Sequence, residues 1–466
     1  MNDRPAISTL KELRDSGYQP RSVREEMRAN LIASLRSGER LFSGIHGYEE
    51  TVIPLVENAI LAGHDIILLG ERGQAKTRLA RSLIQLLDPW VPIIEGSETN
   101  DDPMRPISAY GRRMREELHE ELGVEWISPD RRFAEKLATP DTTIADLIGE
   151  VDPIKVAEGR YLSNEEIIAY GLIPRTNRGI FNLNELPDLA ERIQVGLLNI
   201  LEEKDIQVRG FQVRLPVDVM VIASANPEDY TNRGRIITPL KDRFGSQIRT
   251  HYPRTVEHEL RIVDQEHAIR DVDGITVDVP DAMRELVAEI SRAARASADV
   301  SQRSGVSVRM TIANFEALAA NAQRRALLLG EQVAVPRISD LHAIAPSMTG
   351  KLELDTFGER DELDVIDRII GEAVRRVFAR IADEPWVQSI ARSIADGRVI
   401  DTSDMKPAGN FLETIPDDES VRQGLRAFGG DGPEAMTSSF EFVLEGLFRT
   451  RKIGKAATPT GRRYAR

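Results

Sequence analysis

The spacing of apolar positions changes several times along the chain. From Glu49 to Leu61 it is helical; Asp65, Ile66, Ile67, Leu68 and Leu69 then make a short run, apolar after its first residue and closed by Gly70. A run of that kind predicts a strand buried on both faces. Similar runs occur at Gly179 to Leu183 and Val217 to Ala223, with helical segments between them. Strands and helices in alternation predict a three-layer α/β domain around a central, mostly parallel sheet. Ile206 to Leu215 alternates apolar and polar residues around Arg209 and Gly210, as a hairpin does.

From residue 254 to about 350 the period is helical, clearest at Ile312, Phe315, Leu318, Ala319 and Ala322, which predicts a smaller all-helical domain. Further helices come next, such as Leu363 to Ile381, interrupted by Gly/Pro/Asp-rich loops at Pro407 to Asp418 and Gly429 to Pro433. Residues 1–41 mix basic, acidic and apolar residues at helical spacing, as in Val23 to Leu35, and read as an extension of one or two surface helices. The end of the chain carries Arg449, Arg451, Lys452, Lys455, Arg462, Arg463 and Arg466 and no acidic residue. Such a composition predicts a solvated tail. The organisation is then 1–41 extension, 42–253 α/β core, 254–350 helical domain, 351–450 C-terminal helical region and 451–466 basic flexible tail.

Composition narrows the function classes. At 466 residues the chain is too long for one ordinary core, and 41% hydrophobic with 29% charged residues is a globular balance. No apolar stretch approaches the roughly 20 residues that cross a bilayer, so no membrane partner is expected. The first residues lack the apolar core of a secretory signal, and cysteine is absent, which together favour the cytoplasm. The missing cysteines also exclude disulfide scaffolds, thiolate zinc sites and cysteine nucleophiles. A net charge of −14 argues against a general nucleic-acid coat.

The strongest local signal is Gly70, Glu71, Arg72, Gly73, Gln74, Ala75, Lys76, Thr77, which fits G-x-x-x-x-G-K-(S/T) with Ala75 in place of the second fixed glycine. A buried strand enters it and a helix beginning at Arg78 leaves it, so backbone N–H groups converge where a phosphate would sit. Lys76 would neutralise the β- and γ-phosphates of ATP, and the Thr77 hydroxyl would ligate Mg²⁺. The plainer alternative is a glycine turn with an exposed lysine.

About a hundred residues later Gly179, Ile180, Phe181, Asn182, Leu183, Asn184, Glu185 make an apolar strand ending in a polar pair. In a P-loop ATPase that strand is expected beside the first, delivering an Asp to the Mg²⁺ shell and then a Glu that activates the attacking water. Glu185 suits the second role; Asn184 offers the metal an amide oxygen without a negative charge. Alternatively the pair caps a helix starting near Pro187 and Asp188. The strand Val219 to Ala223 leads to Ser224, Ala225, Asn226 and Pro227, and Asn226 could hold water near the γ-phosphate or act as a turn residue.

Taken in order, these segments resemble the AAA+ branch that contains the MoxR ATPases and the ATPase subunit of magnesium chelatase. GERGQAKT resembles its phosphate loop, including the alanine. Further matches are PDTTIADLIGEVDP (140–153), RGIFNLNELPDLAERIQVGLLNILEE (178–203), VIASANPEDY (221–230) and PLKDRFGSQIRTHYP (239–253). The resemblance implies a P-loop AAA+ core, a helical lid over 254–350 and extra C-terminal helices. It further implies that Asn226 is the sensor 1 residue, Arg243 the arginine finger acting on a neighbouring subunit, and Arg309 the sensor 2 arginine of the lid. A finger from next door implies a homo-oligomeric ring, a hexamer. Family members act as chaperone-like motors for metal insertion or complex maturation, with a partner carrying a von Willebrand factor A domain.

Two departures qualify the transfer: Asn184 stands where the family has Asp, and SETNDDPMRPIS (97–108) lacks the cysteines of the chelatase segment it resembles. The first implies slow hydrolysis, and the second favours a chelatase-like motor over a chelatase. Competing readings are a nucleotide-gated scaffold with little hydrolysis and a sigma-54-type regulator. No GAFTGA loop supports the latter; the stretch before Arg178 reads IIAYGLIPRTN.

Overall fold

A computed structural model describes residues 4–152, 167–207, 214–226, 234–301, 305–354, 361–459 and 461–466. The chain divides into two compact units, Met1–His251 and Tyr252–Arg466.

The first unit is built on five parallel strands, β1 (Ile66–Leu69), β2 (Phe133–Leu137), β3 (Gly179–Asn184), β4 (Val219–Ala225) and β5 (Ser246–Arg249). Their order across the sheet is β5-β1-β4-β3-β2. The runs look continuous in sequence because both faces are covered. Ile66 and Leu68 of β1, Ile180 of β3 and Met220 and Ile222 of β4 face one core, with Val56 and Ile60 of α2 (Val52–Leu61) and Leu79 of α3 (Lys76–Ser82). The alternate residues Ile67, Phe181, Leu183, Val221 and Ala223 face a second core with Ile193, Leu197 and Leu201. This is the three-layer α/β arrangement expected from the sequence.

One expectation about the sheet is corrected. β3 does not lie beside β1; β4 is inserted between them, with Ile66 against Ile222 on one side and Ala223 against Leu183 on the other. Apolar runs specify burial but not neighbour order, so the pattern could not reveal this. β2 and β5, which also went unread, are short strands, FAEKL and SQIR, in which polar residues break any apolar run.

The N-terminal helices are not a separable surface element. In α1 (Val23–Ser37), Val23, Met27 and Leu31 are fully buried in the first core. Glu26 of α1 makes a two-pronged ion pair with Arg132, at 2.8 and 2.6 Å, and the Arg132 side chain is wholly buried. The hairpin is present as Asp205–Gln207 paired with Arg214–Pro216, while Arg209 and Gly210 lie outside the described residues.

In the second unit one large hydrophobic core runs from Val263 to Tyr464, beside a small cluster of Ile275, Ala322, Ala326 and Ala334. The large core packs helices on both sides of residue 350, among them α4 (Val308–Leu329) and α5 (Pro433–Arg449), so no division separates 254–350 from the later helices. The last residues differ from the solvated tail that their composition suggests. β7 (Gly454–Thr458) and β8 (Gly461–Ala465) form an antiparallel hairpin, and β8 also pairs with β6 (Ile400–Thr402). Their cations have acidic partners elsewhere: Lys455 reaches the buried Glu445 of α5 at 2.7 Å, and Arg463 reaches Asp401 at 2.7 Å. The Tyr464 hydroxyl donates to Glu445 at 2.6 Å.

Candidate functional site

The candidate residues of the first unit gather at the carboxyl ends of β1, β3 and β4, where open parallel sheets place ligands. Between β1 and α3 the loop Gly70–Ala75 turns sharply. Gly73 has φ +74°, and Ala75 has φ +55°, ψ +17°. Ala75 thus takes the left-handed conformation that the usual glycine enters without strain, at a cost of about 1 kcal/mol. Gly70 is required for a different reason: a Cβ there would lie 1.9 Å from the Thr250 hydroxyl and 2.2 Å from the Gln74 amide oxygen.

That crowding comes from a brace under the loop. Gln74 Oε1 accepts from the Thr250 hydroxyl at 2.7 Å and from the Glu71 N–H at 3.1 Å. The Tyr48 hydroxyl donates to the Gln74 carbonyl at 2.7 Å and to the His251 carbonyl at 2.9 Å. Burial pushes the Tyr48 phenol up to about 12, so it stays protonated as a donor. A pocket of about 430 Å³ beside the loop is lined by Leu69, Gly70, Glu71, Gln74, Lys241, Gln247, Arg249 and Thr250.

Lys76 is buried, with its ammonium curled into the loop. It donates to the carbonyls of Gly70 (2.5 Å) and Glu71 (2.8 Å) and to Asn226 Oδ1 (2.6 Å). Asn226 follows β4, and its amide nitrogen donates to Glu185 Oε2 at 2.6 Å. Because β4 lies between β1 and β3, Asn226 links the lysine beyond one flanking strand to the carboxylate beyond the other. Glu185 itself has φ +54°, ψ +49°, a left-handed conformation that is rare for a side-chain-bearing residue. Such strain recurs at functional positions.

Asn184, the last residue of β3, is buried, and its oxygen accepts from the Ser224 hydroxyl at 3.3 Å, from the Asn182 amide at 3.3 Å and from the Thr77 hydroxyl at 3.5 Å. Its nitrogen donates to Glu135 Oε1 on β2 at 2.6 Å, and Glu135 is also paired with Arg81 of α3 at 2.7 Å. Glu135, Gln74 with Thr250, and Tyr48 form contacts that sequence reasoning missed. Glu135 sits in Phe133–Leu137, whose letters FAEKL carry no motif.

Two expected arginines take other partners. Arg243, at the end of the helix Thr238–Arg243, is bound to the Glu202 carboxylate, with Nε–Oε2 at 2.7 Å, and to the Pro239 carbonyl at 2.8 Å. Within one protomer it is therefore held in an ion pair with Glu202. Arg309 is exposed in the first turn of α4, in the second unit, and its N–H is capped by the Ser307 hydroxyl at 3.1 Å.

A family described as the Sigma-54 interaction domain matches residues 156–243. Among curated proteins the chain is 28% identical over 233 residues to magnesium-chelatase subunit ChlI-2, chloroplastic, of Arabidopsis thaliana, covering 48% of this chain and 51% of that one. It is 27% identical over 240 residues to the magnesium-chelatase 38 kDa subunit of Cereibacter sphaeroides, covering 49% of this chain and 63% of that one. Over about half its length the chain is thus similar to the magnesium-chelatase ATPase subunits. The chain spans about half to two-thirds of the length of these curated relatives. A solved complex between subunits BchI and BchD of magnesium chelatase is 19% identical, covers 70% of this chain and 98% of that one, and superposes with a TM-score of 0.37. Among the described residues, no helix is long and apolar enough to cross a membrane.

Proposed function

We propose that this AAA+ chain binds and hydrolyses ATP in a ring of like subunits and uses the cycle to remodel a partner protein. The observation that carries the reading is Asn226, whose one amide group contacts both Lys76 of the phosphate loop and Glu185. The loop N–H groups and Lys76 receive the β- and γ-phosphates, and the Lys76 ammonium exchanges carbonyl partners for phosphate oxygens. Asn226 and Glu185 hold a water for in-line attack on the γ-phosphorus. As the new P–O bond forms and the bond to the β–γ bridging oxygen breaks, Glu185 takes the proton of the water, and ADP and phosphate are released. Arg243 from a neighbouring copy offsets the charge that develops on the transferring group.

The oxygens of Thr77 and Asn184 fit a Mg²⁺ ion that arrives with the nucleotide, because both are hard neutral donors close together on the phosphate side of β3. When bound, the ion supplies charge neutralisation at the β- and γ-phosphates. Arg309 would couple the helical unit to nucleotide state. The resemblance to chelatase and MoxR motors supports a hexameric ring, a partner with a von Willebrand factor A domain, and a role in metal insertion or complex maturation.

Calorimetry and phosphate release on purified protein test the core of the reading. The parent should take up Mg·ATP and turn it over, and Lys76→Ala should lose binding. A parent that binds nucleotide and assembles without turnover would instead be a nucleotide-gated scaffold. The match of residues 156–243 favours a second reading, a sigma-54-type regulator, which requires nucleotide-dependent association with a sigma-54 factor.

A further inference from the structure

Asn184 is the one position where the site lacks a charge that its chemistry calls for, and the structure offers a carboxylate one strand away. Leu137 of β2 is the register partner of Asn184, and Glu135, two residues earlier, pairs with Asn182. Since side chains two apart share a face, Glu135, Asn182 and Asn184 all project toward α3, the helix that carries Thr77 and Arg81. Glu135 Oε1 accepts the Asn184 amide N–H at 2.6 Å. The opposite end of that amide accepts from Thr77, Ser224 and Asn182.

This arrangement fixes which way the amide points. Flipped, Asn184 would set its oxygen against the Glu135 carboxylate at 2.6 Å and its NH₂ against the Asn182 NH₂, with repulsion at both ends. The charged acceptor also polarises the amide, drawing positive character to its N–H and leaving more negative charge on the oxygen that faces Thr77. Arg81 holds the carboxylate in place through both of its oxygens, at 2.7 and 3.0 Å.

We propose that Glu135 is a positioning residue which, through Asn184, supplies the metal side of the nucleotide site with the negative charge normally carried by an aspartate at position 184. This rests on the reading of the site as one for a magnesium nucleotide. Glu135 and Asn184 then act as one acceptor divided between two neighbouring strands. The division makes a prediction that a merely structural Glu135–Arg81 pair does not: the effects of changes at 135 and 184 must be strongly non-additive.

The test is a Mg²⁺ titration of ATP binding, followed by calorimetry on the full chain, for the parent, Glu135→Gln, Asn184→Asp, the double variant and Arg81→Gln. Glu135 is partly exposed, on an edge strand, so these changes leave the core intact. Glu135→Gln should raise the Mg²⁺ midpoint by about 10-fold or more, the usual scale for losing an outer partner of a metal ligand, and leave metal-free ATP binding unchanged. The double variant should return the midpoint close to the parent value. Asn184→Asp alone, which sets two carboxylates against each other, should help less than the same change made together with Glu135→Gln. Arg81→Gln should leave the midpoint within about 3-fold, as expected of an exposed pair. The proposal is overturned if Glu135→Gln leaves the midpoint unmoved, if the double variant fails to restore it, or if Arg81→Gln reproduces the Glu135→Gln shift. A parent that binds no Mg·ATP overturns the reading of the site itself, and the proposal with it.

Discussion

The amide nitrogen of Asn226 lies 2.6 Å from a carboxylate oxygen of Glu185, and this contact sets the orientation of a residue already strained into the left-handed region. If Glu185 is the base, Glu185→Gln should keep ATP binding and lower turnover by about 10²- to 10⁴-fold, the range for removing general-base catalysis. Asn226→Ala removes that contact and should also lose turnover with binding retained. Single-turnover phosphate release alongside calorimetry separates the two quantities. A Glu185→Gln protein with unchanged turnover would remove Glu185 from the reaction.

Arg243 is tied to Glu202 inside its own protomer, but the tie is weak. The Glu202 side chain is 54% exposed, and exposed pairs contribute at most about 1 kcal/mol. An arginine held so lightly can transfer to a neighbouring nucleotide at little cost. Arg243→Ala should therefore leave Mg·ATP affinity and thermal stability near the parent values while abolishing turnover. Glu202→Ala, which releases the arginine, should preserve turnover. Mixing Arg243→Ala with Glu185→Gln protein gives the sharper check: if the finger acts between copies, the mixed assembly recovers activity that neither variant has alone.

How far the sequence reached can be seen at particular residues. β1, β3 and β4 were legible because burial on both faces leaves unbroken apolar runs such as Ile66 to Leu69. The turn from Gly70 to Ala75 was legible because close approach at Gly70 restricts the residues it can hold. The order of β3 and β4 was not legible, since pairing is set by long-range packing that no local period encodes. Glu135 was invisible for the same reason: its partner Asn184 is 49 positions away. The basic C-terminus misled because composition was judged within a short window, while Glu445 and Asp401, which neutralise Lys455 and Arg463, lie outside it.

In the second unit, Glu441 of α5 is fully buried and accepts from the Ser339 N–H at 2.9 Å. Burial raises its pKa above the ordinary 4.5, outweighing the nearby Arg337. The folded chain therefore keeps a proton that the unfolded chain releases once pH passes 4.5. This contribution favours folding least at high pH, and it weakens as pH rises through the interval between the two values. Glu441→Gln, which cannot ionise, should gain stability relative to the parent between about pH 5 and about pH 8. Urea denaturation at those two pH values measures the difference. A gap between parent and variant that stays constant with pH would contradict a raised pKa.

The Glu26–Arg132 pair offers a test of whether α1 belongs to the first unit energetically as well as by contact. Glu26 is 4% exposed and Arg132 is fully buried, and Arg132 Nε also donates to the Arg178 carbonyl at 2.7 Å. Removing one ion of such a pair leaves the other desolvated and unpartnered, which costs about 3–5 kcal/mol. Replacing both with apolar residues of similar volume avoids that penalty. Glu26→Ala should therefore lower the stability of the whole unit by about 3 kcal/mol or more, while Glu26→Leu combined with Arg132→Met should recover most of it. The recovery matters more than the loss, because a cavity or a lost helix contact would not be repaired by changing Arg132. If Glu26→Ala instead frees only the N-terminal helices, leaving the urea midpoint of the remaining unit unchanged, α1 would be an appendage docked on a sheet that folds without it.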